Sequence, residues 1–327
     1  MLFGWAPDFW LLLLGYVLLQ IAANIAQAAF QAFIPDLLPE PQRGTASGVK
    51  NALTVVGAAL GLVGARALIA LGAGHGAVLA YLALILVATA ALTAVWVPEI
   101  PPAAIGENGR RWRAALDVAA LWRSFELILR EHVTFRYAVI ALFLFLLGTY
   151  PAQRFLLLFL RDRFGAGAEE RASVGLAVAI VLAAVAAAVS GGLSDAVGRF
   201  PVLIASVLLA AIGMAGIGFA PTIVIASVAG GLVAVGVGAF QAVNWALLSD
   251  DISEGQGAES FGVANIATAG AGALAGLFGP LVDLLHAALP GGTFEITFGL
   301  AGLVALASIW PLLRIAHGSP TGTANEP

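Results

Sequence analysis

The ten residues Gly191-Gly192-Leu193-Ser194-Asp195-Ala196-Val197-Gly198-Arg199-Phe200 place an acid and a base among three glycines. On either side the chain runs for about twenty residues without a charge, which is the length a helix needs to cross a bilayer core of about 30 Å. GGLSDAVGRF therefore reads as a short polar turn joining two membrane spans. What lies around that turn sets the fold.

The rest of the chain has the same character. Of 327 residues 61% are hydrophobic and only 10% charged, and the mean hydropathy is +0.98. Soluble domains carry about 25% charged residues, because their outer surface must be polar. The fold class is an all-α membrane protein. Nine spans are predicted, at roughly 9–33, 50–71, 77–97, 137–160, 172–191, 200–220, 222–248, 261–285 and 294–316. With most charges in loops, a net charge of −4 says little about nucleic acid, which is not an expected partner, and the lack of cysteine excludes disulfides and thiolate metal sites. The four histidines, His75, His132, His286 and His317, show no metal-ligand spacing. No catalytic residues, metal site or cofactor are expected, and an enzyme is disfavoured.

Basic residues set the orientation, since they concentrate in cytoplasmic loops. If the loops near 36–50, 98–136, 192–200 and 249–260 and the C-terminus are cytoplasmic, they hold ten of the 15 basic residues, Lys50 among them. The opposite side holds Arg161, Arg163 and Arg171, while Arg66 and Arg154 fall inside spans. A cytoplasmic C-terminus in the cell (inner) membrane follows.

The word AFQA occurs at 29–32 and again at 239–242, but the register it suggests aligns little else. Shifting by 214 residues instead aligns Gly4–Leu60 with Gly218–Leu274 without gaps, at 16 identities in 57 positions. Gln27, Asp36, Glu40, Asn51 and Thr54 meet Gln241, Asp250, Glu254, Asn265 and Thr268. The chain contains a parallel internal repeat, of the kind that builds transporters from two like halves.

In this setting Gly192-x-x-Asp195-x-x-Gly198-Arg199 resembles the signature loop of the major facilitator superfamily. Pro39-Glu40-x-x-Arg43 resembles that family's acidic-basic loop, and Pro98-Glu99 its motif closing the sixth span. A second basic residue usually follows the arginine, and here Phe200-Pro201 stand there. The resemblance implies a gate. The glycines would allow the turn, Asp195 would sit at a helix start, and Arg199 would pair with an acid across the cytoplasmic mouth. It also numbers the nine spans four to twelve of an expected twelve. The repeat then predicts roughly 75 to 80 residues upstream of Met1, against the alternative of a nine-span protein. The segments IPDLLPEPQRGTASG (34–48), NWALLSDDISEG with FGVANIA (244–267) and QRFLLLFLRDRFG (153–165) are similar to bacterial relatives of the sucrose/proton symporters. That implies a secondary transporter working by alternating access on a small polar solute, a sugar with a coupling proton or cation. The alternatives are a truncated non-transporting fragment and a drug or metabolite efflux member. The bilayer and the solute are the expected partners, and a monomer the expected state.

Four amides, Gln20, Asn24, Gln27 and Gln31, recur at spacings of 4, 3 and 4 and share one helical face. In lipid such a face turns toward protein or water. It is expected to line the cavity with Gln241, Asn244 and Trp245 of the matching span, and with Arg154 about 9 Å inside its own span at 1.5 Å per residue. The gating set is Glu40, Arg43, Gly192, Asp195, Gly198 and Arg199. The expected organisation is a partial N-terminal half at 1–98, a linker with a basic amphipathic helix on the membrane surface at 99–136, a six-helix half at 137–316 and a tail at 317–327. Small residues let helices approach closely. The resemblance implies that the span with Gly57-x-x-x-Gly61 packs on the alanine-rich span at 172–191, and that the span with Gly272-x-x-x-Gly276 would pack on a second span expected upstream of Met1, leaving that seam open.

Overall fold

Apolar runs of this length bury their backbone polarity only as helices, and a computed structural model describes residues 9–97, 118–251, 257–289 and 291–318 as helices joined by short turns. Among them are α1 (Phe9–Leu37), α2 (Glu40–Ala70), α3 (His75–Trp96), α4 (Val118–Glu131), α5 (Val133–Phe164) and α6 (Ala168–Val197). They are followed by α7 (Arg199–Gly218), α8 (Ile223–Asp250), α9 (Gly257–Ala275), α10 (Phe278–Ala288), α11 (Thr293–Ala307) and α12 (Ile309–Gly318). Among the described residues nine segments are long and apolar enough to span a membrane. Each covers one of the nine predicted spans, and several run further at their polar ends.

Two spans differ from the reading in being broken. The eighth is α9 plus α10 and the ninth is α11 plus α12. Pro280 and Pro311 lie just past the two breaks. A proline lacks the N–H its helix needs and clashes with the carbonyl four residues back, here Gly276 and Ala307. The chain tightens instead, with Leu277 N–H donating to Leu274 and Ser308 N–H to Ala305.

The internal repeat holds at the level of elements. Adding 214 to Phe9–Leu37 gives 223–251, against Ile223–Asp250 for α8. The same shift carries α2 onto α9 with α10, and α3 onto α11.

Helices in lipid associate through close packing and small residues, and most of that packing lies in the later helices. Phe145 of α5 stacks on Phe240 of α8 with centroids 3.8 Å apart, and Leu142, Leu203 and Leu248 are fully buried around them. The helix α2 packs on α6 and α8, and α1 on α9. By contrast α3 has no buried residue, and Leu84 and Val87 present their side chains outward.

The helix α2 does pack on the alanine-rich α6, as expected, but not through Gly57-x-x-x-Gly61. A Cβ on Gly57 would have nothing within 4 Å, and one on Gly61 would only touch Leu82. The close α2–α6 seam uses Gly44-x-x-x-Gly48 instead. A Cβ on Gly48 would lie 2.6 Å from the Ala187 carbonyl oxygen, and one on Gly191 would collide with the Gly44 carbonyl. Gly272 and Gly276 make room for the Arg154 side chain.

The described part of the predicted amphipathic segment is α4. It is helical, but Phe125, Ile128 and Leu129 pack into the protein core, so this face is covered by α5 and α9. Trp112, Ala115 and Leu116 lie outside the described residues.

Candidate transport cavity and latch

One end of the bundle gathers the C-terminal ends of α1, α6 and α8 and the start of α2. Asp195 lies on the last turn of α6, not at a helix start as expected, and a helix C-terminus disfavours an anion. The compensation comes from a neighbour. The first turns of α2 aim N–H groups at the carboxylate, Gly44 at 3.1 Å and Thr45 at 2.7 Å, and the Thr45 hydroxyl adds a third bond at 2.8 Å. The dipole argument thus applies to another helix than the one the sequence suggested. Gly198, at φ +93°, is the single residue between α6 and α7 and occupies a conformation that favours glycine. Gly192 is helical and faces Thr45.

Arg199 does not reach across to the N-terminal helices. It donates to Asp195, to the Ser194 hydroxyl at 2.8 Å and to Asp250 at 3.0 Å, all within the later helices. The groups that join the two sets of helices are Asp195, Arg43 and Ser47. Arg43 donates to the Ser249 carbonyl at 2.7 Å while also capping α1 through Pro35 and Leu38, each at 3.2 Å. Ser47 is fully buried and donates to the Ala242 carbonyl at 2.7 Å. Among the described residues, the side-chain hydrogen bonds that cross between the two sets lie at this end. Glu40 and Arg43, read as loop residues, belong to the first turns of α2.

Beyond this cluster of contacts two hollows meet. The inner one, about 830 Å³, takes Gln27, Gln31, Gln241 and Trp245 with residues of α2 and α3. The outer one, about 560 Å³, takes Gln20, Asn24, Gln27, Tyr150, Gln153 and Arg154. Gln27 and Thr268 border both. The amide stripe does face this space, with unequal freedom. Gln20 and Gln27 are exposed to it, whereas Asn24 donates to the Gln20 carbonyl at 2.7 Å. Gln31 is 3% exposed and its carbonyl oxygen has no hydrogen-bond partner. Arg154 donates to the Gly272 carbonyl at 2.6 Å. Since α5 continues to Phe164, Arg154 sits about 15 Å from its helix end, deeper than the sequence reading placed it. Asn244 borders neither hollow. It is fully buried, and neither amide atom has a hydrogen-bond partner among the described residues.

The sequence reading missed three groups here. Asn51 and Thr54 border the inner hollow and Asn265 and Thr268 the outer. They are partners in the repeat, as are Gln27 and Gln241, so identity between the two copies was the clue. The amide nitrogens of Asn51 and Asn265 are both unpartnered. The third group is Lys50. Counted above as a loop cation, it lies within α2 and borders the inner hollow, its ammonium 4.9 Å from the centre of the Trp245 ring. The count of basic residues for that side falls from ten to nine, and the asymmetry stands.

A family model described as Major Facilitator Superfamily matches residues 1–280. No curated protein matches the chain.

Proposed function

The chain belongs to the major facilitator superfamily, a family of membrane transporters, and from that premise we propose that it moves a sugar-like solute by alternating access. The observation that carries this is the pairing of a latched end with a polar hollow behind it. Three repeat-related pairs, Gln27 with Gln241, Asn51 with Asn265 and Thr54 with Thr268, border the two adjoining hollows from α1, α2, α8 and α9. Amides and hydroxyls beside the Trp245 ring suit a ring bearing hydroxyl groups, which offers donors, acceptors and an apolar face. The symmetry has a mechanical use. A solute held by matching groups from both sets of helices keeps its contacts while those sets rock about it.

In this reading the end bearing Arg43, Asp195 and Arg199 faces the cytoplasm, and the arrangement described is closed inward. The protein works as a monomer in the cell membrane, and a proton or cation gradient drives it. The test is counterflow of a panel of labelled monosaccharides, disaccharides and sugar acids in proteoliposomes. Saturable exchange is expected for at least one member, with Gln27→Ala and Gln241→Ala each weakening it about threefold to tenfold at unchanged expression, the effect of losing one neutral hydrogen bond to the solute. Exchange unaffected by both variants removes this hollow from the solute path.

A further inference from the structure

Lys50 is the chain's only lysine, and it stands where the cavity departs from its own symmetry. The residue 214 positions on is Ala264, fully buried and apolar. The neighbouring pairs at 51 and 54 are identical in both copies, so at this point of the helix the two walls differ by a charge. An ammonium brings three N–H donors. Among the described residues the Lys50 ammonium makes no hydrogen bond and no ion pair, and its contact is the face of Trp245; the Thr54 hydroxyl bonds only the Lys50 backbone carbonyl. A charge held within a membrane bundle is costly unless a counter-group meets it. The cation–π contact offsets part of this and uses none of the donors in a conventional hydrogen bond.

The second charge bordering this space is Arg154 in the outer hollow, and it too has no carboxylate partner among the described residues. Among the described residues no Asp or Glu borders either hollow. Two cations, one above the other along a single path lined otherwise by amides, hydroxyls and apolar groups, give a field that draws anions and repels cations. We infer that Lys50 is the seat for an anionic oxygen group on the transported solute. The substrate class is then a small hydroxylated molecule carrying a carboxylate or a phosphate, with Arg154 guiding entry. This rests on the reading of the hollow as the solute site.

The test uses the full chain in lipid nanodiscs, with thermal unfolding and tryptophan fluorescence followed during titration with D-glucuronate, D-glucose 6-phosphate and D-glucose. Saturable binding of an anionic member is expected, weakened at least about tenfold by Lys50→Met and largely kept by Lys50→Arg, as befits a charge-assisted bond. Which of the two anions binds separates carboxylate from phosphate. Equal binding of glucose in the wild type and Lys50→Met overturns the inference and leaves the sugar reading standing. Binding of none of the three overturns both. A second measurement needs no ligand. With Thr54→Cys as the sole thiol, an anionic thiosulfonate should react faster relative to a cationic one than each does with a free thiol, by about tenfold near a single charge. Lys50→Met should remove that preference, and a preference unchanged by the substitution overturns the inference.

Discussion

Replacing Asp195 by asparagine should unlatch the closed end. The carboxylate is 12% exposed and also pairs with Arg199. It accepts from the Gly44 and Thr45 N–H groups and the Thr45 hydroxyl of α2. Hydrogen bonds to a charged group contribute about 1.5–3 kcal/mol each. An amide keeps one acceptor oxygen but turns two N–H donors toward other donors, and solvent at the rim recovers part of the loss. The net cost to the latched arrangement is about 2 kcal/mol, which at 1.4 kcal/mol per tenfold shifts the open population about thirtyfold. The wild type has no cysteine, so Ser47→Cys gives a single thiol in the seam, at a site that is fully buried while the latch is shut. Its rate of maleimide labelling in proteoliposomes should rise about thirtyfold in the Asp195→Asn background. Thr45→Val, which removes one hydroxyl donor, should raise it about fivefold. Asp250→Asn should have the smallest effect, because Asp250 meets Arg199 within the later helices. Labelling within twofold of the parent in Asp195→Asn would refute the latch, and a larger effect of Asp250→Asn would move it to the arginine.

Arg43→Ala should lower the thermal unfolding midpoint in detergent by an amount matching about 2 kcal/mol, since it strands carbonyls of Pro35, Leu38 and Ser249 together. Arg43→Lys, with a point charge in place of a planar fork, should recover less than half of that. An unchanged midpoint in Arg43→Ala would mean these contacts hold nothing. Gly48→Val should force α2 away from Ala187 and cost about 2 kcal/mol or more by overpacking. Gly57→Val, where a Cβ meets nothing within 4 Å, should leave the midpoint unchanged, and equal losses in the two variants would contradict the assigned seam.

Much of this protein is legible without coordinates because a bilayer enforces one-dimensional rules. Among the described residues the nine apolar runs are nine helices long enough to span a membrane, since no other local structure satisfies the backbone in hydrocarbon. The repeat at 214 is visible because the two copies keep the same polar residues, and three of those pairs border the two hollows. The amide stripe on α1 is a matter of helical spacing, and it does face the cavity. Where reading failed, the cause was a contact with another helix. Asp195 was assigned the dipole of its own segment, but the N–H groups that meet it belong to α2, 150 residues away. Arg199 was expected to bridge the mouth, and Asp250 holds it on its own side while Arg43 makes the crossing. Gly57-x-x-x-Gly61 and Gly44-x-x-x-Gly48 are alike as patterns, and only the position of Ala187 tells which one is a seam. Lys50 was placed in a loop because a charge marks the end of an apolar run in a sequence. The helix begins ten residues earlier, and the packing of α2 against α8 turns that charge inward over Trp245. Periodicity records which residues share a face. What a face meets is settled by how separate helices pack, and that is decided only in three dimensions.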